Sequence, residues 1–295
     1  KKSIKQRTKN IINDSVNNQL ISDVPIGSFL SGGIDSSLIT AMMSKISNNK
    51  IKTFTIGLKD NEFDESIYAS KISKILNTDH NELILSEKDV QNNLFEIINS
   101  FDEPFADSSQ IPTFLISRFA KKSVKVCLTG DGGDELFGGY NRYIWSKNVM
   151  LIMKYTPFRL RKTIAQIILN LPKSLHNLFV YRLANLLGIS SNVSQFTDKS
   201  FKFLNLIKTL KNFDDLYSYL ITEWKQSDKI LNAKFTKNPS LNIHKLKYLN
   251  DQENMMLNDT LYYLPNDILY KVDISSMANG LETRAPFLSN KVIEV

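Results

Sequence analysis

Residues 31–37 read Ser-Gly-Gly-Ile-Asp-Ser-Ser, directly after the apolar run 26–30 and directly before an amphipathic stretch. An apolar run, then small residues, then polar residues opening a helical pattern predict a strand, a tight loop and a helix start. Glycine lets the backbone approach a ligand closely and adopt conformations other residues avoid. A helix start adds unpaired N–H groups and the positive end of the helix dipole. With the hydroxyls of Ser31, Ser36 and Ser37, these groups predict a pocket for phosphate oxygens. The loop has no Lys, and the chain contains no Gly-x-x-x-x-Gly-Lys-Ser/Thr pattern, which excludes a Walker-type nucleotide loop. Asp35 inside such a pocket would repel phosphate unless a cation lies between them, which points to Mg²⁺.

The pattern around this loop constrains the architecture further. Helices are expected at 4–20, 36–46, 64–76, 88–98 and 111–120, and strands at 26–30, 51–57, 81–85 and 124–129, with a polar loop at 101–109. Strands alternating with helices predict an α/β fold with a parallel twisted sheet covered by helices on both faces. Such sheets bind ligands beyond the carboxyl ends of their strands, where the strand order reverses. From about residue 150 strand alternation fades, and 150–250 reads as helical. The expected division is therefore an α/β core over 1–150 and a mainly helical region over 151–295.

A second Gly-rich loop follows the strand at 124–129. Residues 129–140 read Thr-Gly-Asp-Gly-Gly-Asp-Glu-Leu-Phe-Gly-Gly-Tyr, with three carboxylates, Asp131, Asp134 and Glu135, inside five positions. Alone, Asp-Gly-Gly-Asp reads as a solvated turn or a helix cap. Placed by the sheet rule beside the first loop, it offers Asp134 as a partner of Asp35 on one Mg²⁺ held against a pyrophosphate group. A third region covers Leu-Pro-Asn-Asp-Ile-Leu-Tyr-Lys-Val-Asp at 264–273 and Ser-Met-Ala-Asn-Gly-Leu-Glu-Thr-Arg-Ala-Pro-Phe-Leu at 276–288. By composition alone, Lys271, Asp273, Glu282 and Arg284 read as surface charges.

Composition narrows the class. The chain has 295 residues, enough for one large α/β domain or two smaller ones, and no apolar run approaches a membrane span or a secretory signal. Its single cysteine, Cys127, rules out an internal disulfide, fits a cytoplasmic location, and reads as buried within an apolar strand. The net charge of +7 comes from scattered Lys rather than a basic tract, so no nucleic-acid partner is expected. His80, His176 and His244 show no metal-ligand spacing. The chain begins with Lys1 and ends within an apolar spacing at 288–295, so it reads as a piece of a longer protein.

The first loop resembles the pyrophosphate loop of the N-type ATP pyrophosphatases. Adding Asp-Glu-Pro at 102–104, Asp-Ser-Ser at 107–109, the loop at 130–140 and the run at 263–273 narrows this. Together, over roughly residues 17–288, they resemble the synthetase domain of glutamine-hydrolysing asparagine synthetases. The resemblance implies a PP-loop ATPase fold of the adenine nucleotide alpha hydrolase type. It implies ATP and Mg²⁺ as cofactors, aspartate and ammonia as substrates, and a ligase that adenylates the aspartate side chain, releases pyrophosphate and lets ammonia displace AMP. It implies ATP binding by Leu30, Ser31, Gly32, Gly33, Asp35, Ser36, Ser37, Ile56, Thr129 and Gly130. Asp35 and Asp134 match the metal ligands. Asp131 and Glu135 are the catalytic candidates, Asp131 standing where well-studied relatives carry Glu. Residues 105–110 correspond to the acceptor-binding segment.

The family also has a glutaminase domain before this one and a Lys-bearing segment after the Arg-x-Pro-Phe-Leu motif, and relatives dimerise. The piece alone is therefore expected to adenylate weakly. Rival readings are an amide-forming relative acting on another carboxylate (a sugar acid, a β-lactam precursor, a lasso peptide), a nucleotide-binding scaffold, and a tRNA-modifying enzyme. The last would want an RNA-binding surface and extra cysteines, and the sequence shows neither.

Overall fold

The computed structural model describes residues 2–59, 64–172, 175, 193–222 and 243–295. His176 and parts of the expected helical run, at 176–192 and 223–242, lie outside the described residues. By its contacts the chain forms two units, one of residues 1–139 with 256–295 and one of residues 140–255. The division expected near residue 150 is thus replaced by two crossings, because the last forty residues return to the first unit.

The first unit is built on a five-stranded parallel sheet in the order β3-β2-β1-β4-β5, with β1 Ile26–Phe29, β2 Lys52–Leu58, β3 Asp79–Leu85, β4 Val126–Leu128 and β5 Glu282–Arg284. The register is set by Gly27↔Lys52, Lys52↔Asp79, Ile26↔Val126 and Val126↔Glu282. The chain steps outward from β1 to β3 and then crosses to the other side of β1 for β4. The strand order therefore reverses between β1 and β4, the two strands followed by Gly-rich loops.

The alternation of side chains along a strand assigns the two faces. Val126 and Leu128 pack with Ile12, Val16, Ile39 and Met43, from α1 Lys2–Gln19 and α2 Ile34–Ile46. Cys127, between them, points to the opposite face with Phe54, Ala120 and Leu281. Next to that cluster, Leu85, Ile97, Phe114 and Leu115 bury α4 Glu87–Asn99 and α5 Gln110–Lys121. Cys127 is buried as expected, and burial pushes its thiol pKa up, which leaves it inert near neutral pH. Ser86 and Asp89 close a capping box at the start of α4. The intervening helix α3, Ser66–Leu76, ends on Asn77 at φ +52°, a left-handed cap.

Two elements near the C-terminus depart from the expected pattern. Asp259–Leu269 is a π-helix containing Pro265, followed by an α-helix at Tyr270–Met277. Proline lacks the N–H that an α-helix needs there, and a wider turn accommodates the gap. β5 is only three residues long, and its Glu282 and Arg284 place charges at the sheet edge, which blunts it against further pairing. In the second unit, Asn141–Tyr155, Phe158–Leu169, Val193–Ile207 and Phe213–Ile221 are helical, consistent with the fading of strand signals. Among the described residues no helix is long and apolar enough to cross a membrane.

Candidate active site

A cleft of about 840 Å³ opens at the carboxyl ends of the strands, entirely within the first unit. β1 delivers Leu30, Ser31 and Gly33 to it, β2 delivers Thr55 and Ile56, and β4 delivers Thr129, Gly130 and Asp131. Asp35 and Ser36 enter from the first turn of α2, and Asp134 from the short helix Gly133–Phe137. Ten of the sequence-predicted site residues therefore line one cleft.

The phosphate-type loop is held by its own serines. Ser31 N–H donates to Ser36 Oγ at 3.2 Å, the two hydroxyls lie 3.0 Å apart, and Gly33 N–H donates to Ser31 Oγ at 3.2 Å. The α2 N-cap is Gly33, and no side chain caps the helix. Its first N–H groups and dipole therefore lie beside the cleft with no side-chain cap on them, the arrangement suited to a phosphate. Gly32 does not line the cleft. It is required because its φ is +84° and a side chain there would lie 2.7 Å from the Ala69 backbone nitrogen. Ser37 does not line the cleft either, and its hydroxyl is enclosed without a hydrogen-bond partner.

The second Gly-rich loop presses against the first. A methyl group on Gly130 would sit 2.8 Å from the Ser36 backbone nitrogen, and one on Gly133 would sit 2.6 Å from Asp35 Oδ2. The absent side chains are what bring Asp35 and the second loop's carboxylates together. Burial, then the neighbouring charges of Asp134 and Glu135, push the Asp35 pKa up to about 6. Glu135 itself is 2% exposed and does not line the cleft, so it acts on the site through its charge rather than by contact with a substrate.

The residues fit a divalent cation. Asp35 is destabilised as a carboxylate by its surroundings, a strain that a cation relieves, and Mg²⁺ shared with phosphates needs only one or two protein carboxylates. Among the described residues, no group of three or more His, Cys, Asp or Glu is arranged as a self-sufficient metal cage.

Lys271 is the site residue that sequence reasoning missed. Far from being a surface charge, it is 7% exposed and forms part of the cleft wall. Its Nζ donates to Asp107 Oδ2 at 2.5 Å and to Ser109 Oγ at 2.6 Å. The signal was available: Lys271 stands three residues from both Ile268 and Ile274, on the apolar side of a helical pattern. The loop carrying Asp107 is fixed in turn, because Phe105 stacks on Phe101 with ring centroids 5.2 Å apart and lies 5.6 Å from the Tyr270 ring. Burial alone would raise the Asp107 pKa, but hydrogen bonds from Lys271 and Ser109 and the Lys271 charge outweigh it and hold the group at about 2. Burial raises the pKa of Asp131 in the same wall, and the charge of Lys271 opposes that rise.

The Asp107 shift predicts an acid limit on stability. Its folded pKa lies below its ordinary value of 3.8, so its contribution is complete above that value and is lost as pH falls through about 2. At pH 6 the group contributes at most about 2 kcal/mol, by linkage. Urea unfolding of wild type and Asp107→Asn should show a stability gap that narrows between pH 5 and pH 2.5, and a constant gap would contradict this assignment.

Comparison with known proteins adds an independent line. An asparagine synthase family profile matches residues 7–295. The chain is 32% identical over 293 residues to the glutamine-hydrolysing asparagine synthetase 1 of Bacillus subtilis strain 168, covering 98% of this chain and 43% of that protein. It is 38% identical over 135 residues to the glutamine-hydrolysing asparagine synthetase 2 of Oryza sativa subsp. japonica, covering 41% of this chain and 22% of that protein. The chain thus spans less than half the length of these relatives. Among solved structures, the U34-tRNA thiolase NcsA of Methanococcus maripaludis aligns at 14% identity over 86% of this chain and 90% of that chain. Its TM-score is 0.33, a likeness too slight to bear on fold or function.

Proposed function

The chain belongs to the asparagine synthase family, and from that premise we propose that it carries the ATP-dependent, amide-forming half of an asparagine synthetase. The observation that supports this most is the contact of the two Gly-rich loops at the strand-order reversal, which sets an uncapped helix start beside a carboxylate pair. That combination suits displacement at a nucleotide phosphate. The first-turn N–H groups of α2 and the hydroxyls of Ser31 and Ser36 hold the β,γ-phosphates, and Ile56, Thr129 and Gly130 line the adenosine. Mg²⁺ held by Asp35 and Asp134 would neutralise the departing pyrophosphate.

In the first step, a side-chain carboxylate oxygen of aspartate bonds to the α-phosphorus while the bond to the pyrophosphate oxygen breaks. The loop's fixed donors stabilise the charge that develops on that oxygen. In the second step, the ammonia lone pair bonds to the acyl carbon and the carbon–oxygen bond to AMP breaks. Asp131, whose burial makes its carboxylate more basic than usual, accepts the proton the nitrogen loses. In the full-length protein, ammonia would come from glutamine by way of a glutaminase domain.

The full-length protein supplied with Mg²⁺-ATP, ammonia and aspartate should form asparagine, AMP and pyrophosphate in equal amounts. Formation of ADP and inorganic phosphate would overturn the adenylation chemistry. Pyrophosphate release with a sugar acid or peptide carboxylate, and none with aspartate, would move the assignment to an altered-acceptor relative.

A further inference from the structure

Lys271 is buried in the cleft wall and is not needed for any step above. An ammonium group has three donors and no acceptor. Two are engaged, one by Asp107 Oδ2 and one by Ser109 Oγ. Both partners sit on a short segment that is itself fixed. Asp107 accepts from Ser109 N–H at 2.8 Å and from Ser109 Oγ at 2.6 Å. Gln110 Nε2 donates to the Phe105 carbonyl at 3.0 Å, and the Phe101, Phe105 and Tyr270 rings pack together. A long, entropically costly side chain is thus held in one position with one donor left over, in a wall that faces the cleft.

The position of this donor in the cleft separates two uses for it. Lys271 Nζ is bonded to Asp107 and Ser109, on the loop before α5, and the hydrogen bonds of the phosphate loop run among Ser31, Gly33 and Ser36 without it. Lys271 therefore belongs to the α5 side of the cleft, with Pro112 and Thr113. Every other charged side chain in the lining is a carboxylate: Asp35, Asp64, Glu65, Asp131 and Asp134. A small anionic acceptor entering this wall would meet one cation, already oriented.

We propose that Lys271 binds a carboxylate of the acceptor through its third N–H, and that Asp107 and Ser109 are positioning residues that aim it. This rests on the adenylation reading above. It adds that acceptor affinity is set by a Lys–Asp–Ser unit separate from the phosphate loop.

The test is steady-state pyrophosphate release by the full-length protein with ammonia, comparing wild type, Lys271→Met and Asp107→Asn. For Lys271→Met, the KM for aspartate should rise at least tenfold while the KM for Mg²⁺-ATP stays within threefold. Asp107→Asn should raise the aspartate KM by a smaller factor with kcat little changed, a split that a general loss of structure would not produce. If Lys271→Met fails to fold because Asp107 is left without its partner, the Lys271→Met/Asp107→Asn double variant removes that orphan and carries the same readout. An equal rise in both KM values, or no rise in the aspartate KM, overturns the assignment of Lys271 and leaves the adenylation reading standing. If wild type releases no pyrophosphate with aspartate, the adenylation reading falls and this inference falls with it.

Discussion

Replacing Asp35 with Asn should abolish pyrophosphate release, by at least about a thousandfold, and should make the ligand-free protein more stable. The two effects have one origin. Burial and the charges of Asp134 and Glu135 push the Asp35 pKa up to about 6, from an ordinary value of 3.8. A carboxyl whose pKa is raised on folding favours the folded state fully below its unfolded value, and that contribution is lost as pH rises through the folded pKa. At pH 7.5 the ionised Asp35 is therefore a net cost, on the order of 1–2 kcal/mol after discounting for its partial exposure. Asn removes the charge and keeps the shape. A rise in Tm of a few degrees at pH 7.5, shrinking toward zero near pH 4, is the expected signature. The wild-type protein should recover that deficit when Mg²⁺-ATP is added, and Asp35→Asn should not. An unchanged or lower Tm for the variant at pH 7.5 would show that the carboxylate cluster is not strained. This is the common form of a conflict between function and stability, in which a site is left unfavourable until its ligand arrives.

The second large effect is expected at Gly130. A methyl group there would lie 2.8 Å from the backbone nitrogen of Ser36 and 3.1 Å from the backbone carbonyl carbon of Asp35. Both atoms belong to the first turn of α2, so neither can swing aside as a side chain would. Gly130→Ala must push the two loops apart, at a cost of roughly 1–3 kcal/mol of stability. The loss should be larger for ATP affinity, at least about a hundredfold, because the separation occurs where the phosphates and the adenosine are held. Gly33→Ala is the control, since a methyl group there meets only Ser31 Oγ, at 3.3 Å. Its Tm should stay near that of wild type, whereas Gly130→Ala unfolds earlier. Equal thermal behaviour of the two would mean that the loops are not pressed together as described.

The parts of the site that were legible in the sequence share a physical trait. Ser31, Gly33, Asp35, Thr129, Gly130 and Asp134 lie in two Gly-rich loops or in the first helical turns that follow them, and the composition there points to a ligand, because clustered glycines and carboxylates after an apolar strand are destabilising unless they bind something. The parallel sheet, and the meeting of the two Gly-rich loops beyond its strand ends, were expected from alternation and the sheet rule, whereas the strand order itself comes from the structure. What was not legible depends on tertiary context. β5 is three residues long with charges at both ends, and it exists because Val126 pairs with Glu282 and because Thr129 N–H donates to the Arg284 carbonyl at 2.8 Å. No local propensity announces such a strand. Arg284 likewise looked like a surface charge, yet its guanidinium donates to the carbonyls of Gln19 and Ile21, tying β5 to the end of α1. Glu135 sits one position from Asp134 in a helical turn, and that step alone turns it from the cleft into the interior. Lys271 was misread because a single charge is ordinarily solvated, and only the partner at position 107, 164 residues away, makes its burial tolerable.

The proposed function requires that an acyl-adenylate form in this cleft. The most direct test uses aspartate labelled with ¹⁸O in its side-chain carboxylate, incubated with the full-length protein, Mg²⁺-ATP and ammonia, with the products read by mass spectrometry. Adenylation requires one labelled oxygen to leave with the phosphate of AMP, and the account predicts that transfer in step with asparagine formation. Asparagine formed with unlabelled AMP, or with the label in inorganic phosphate, would contradict it.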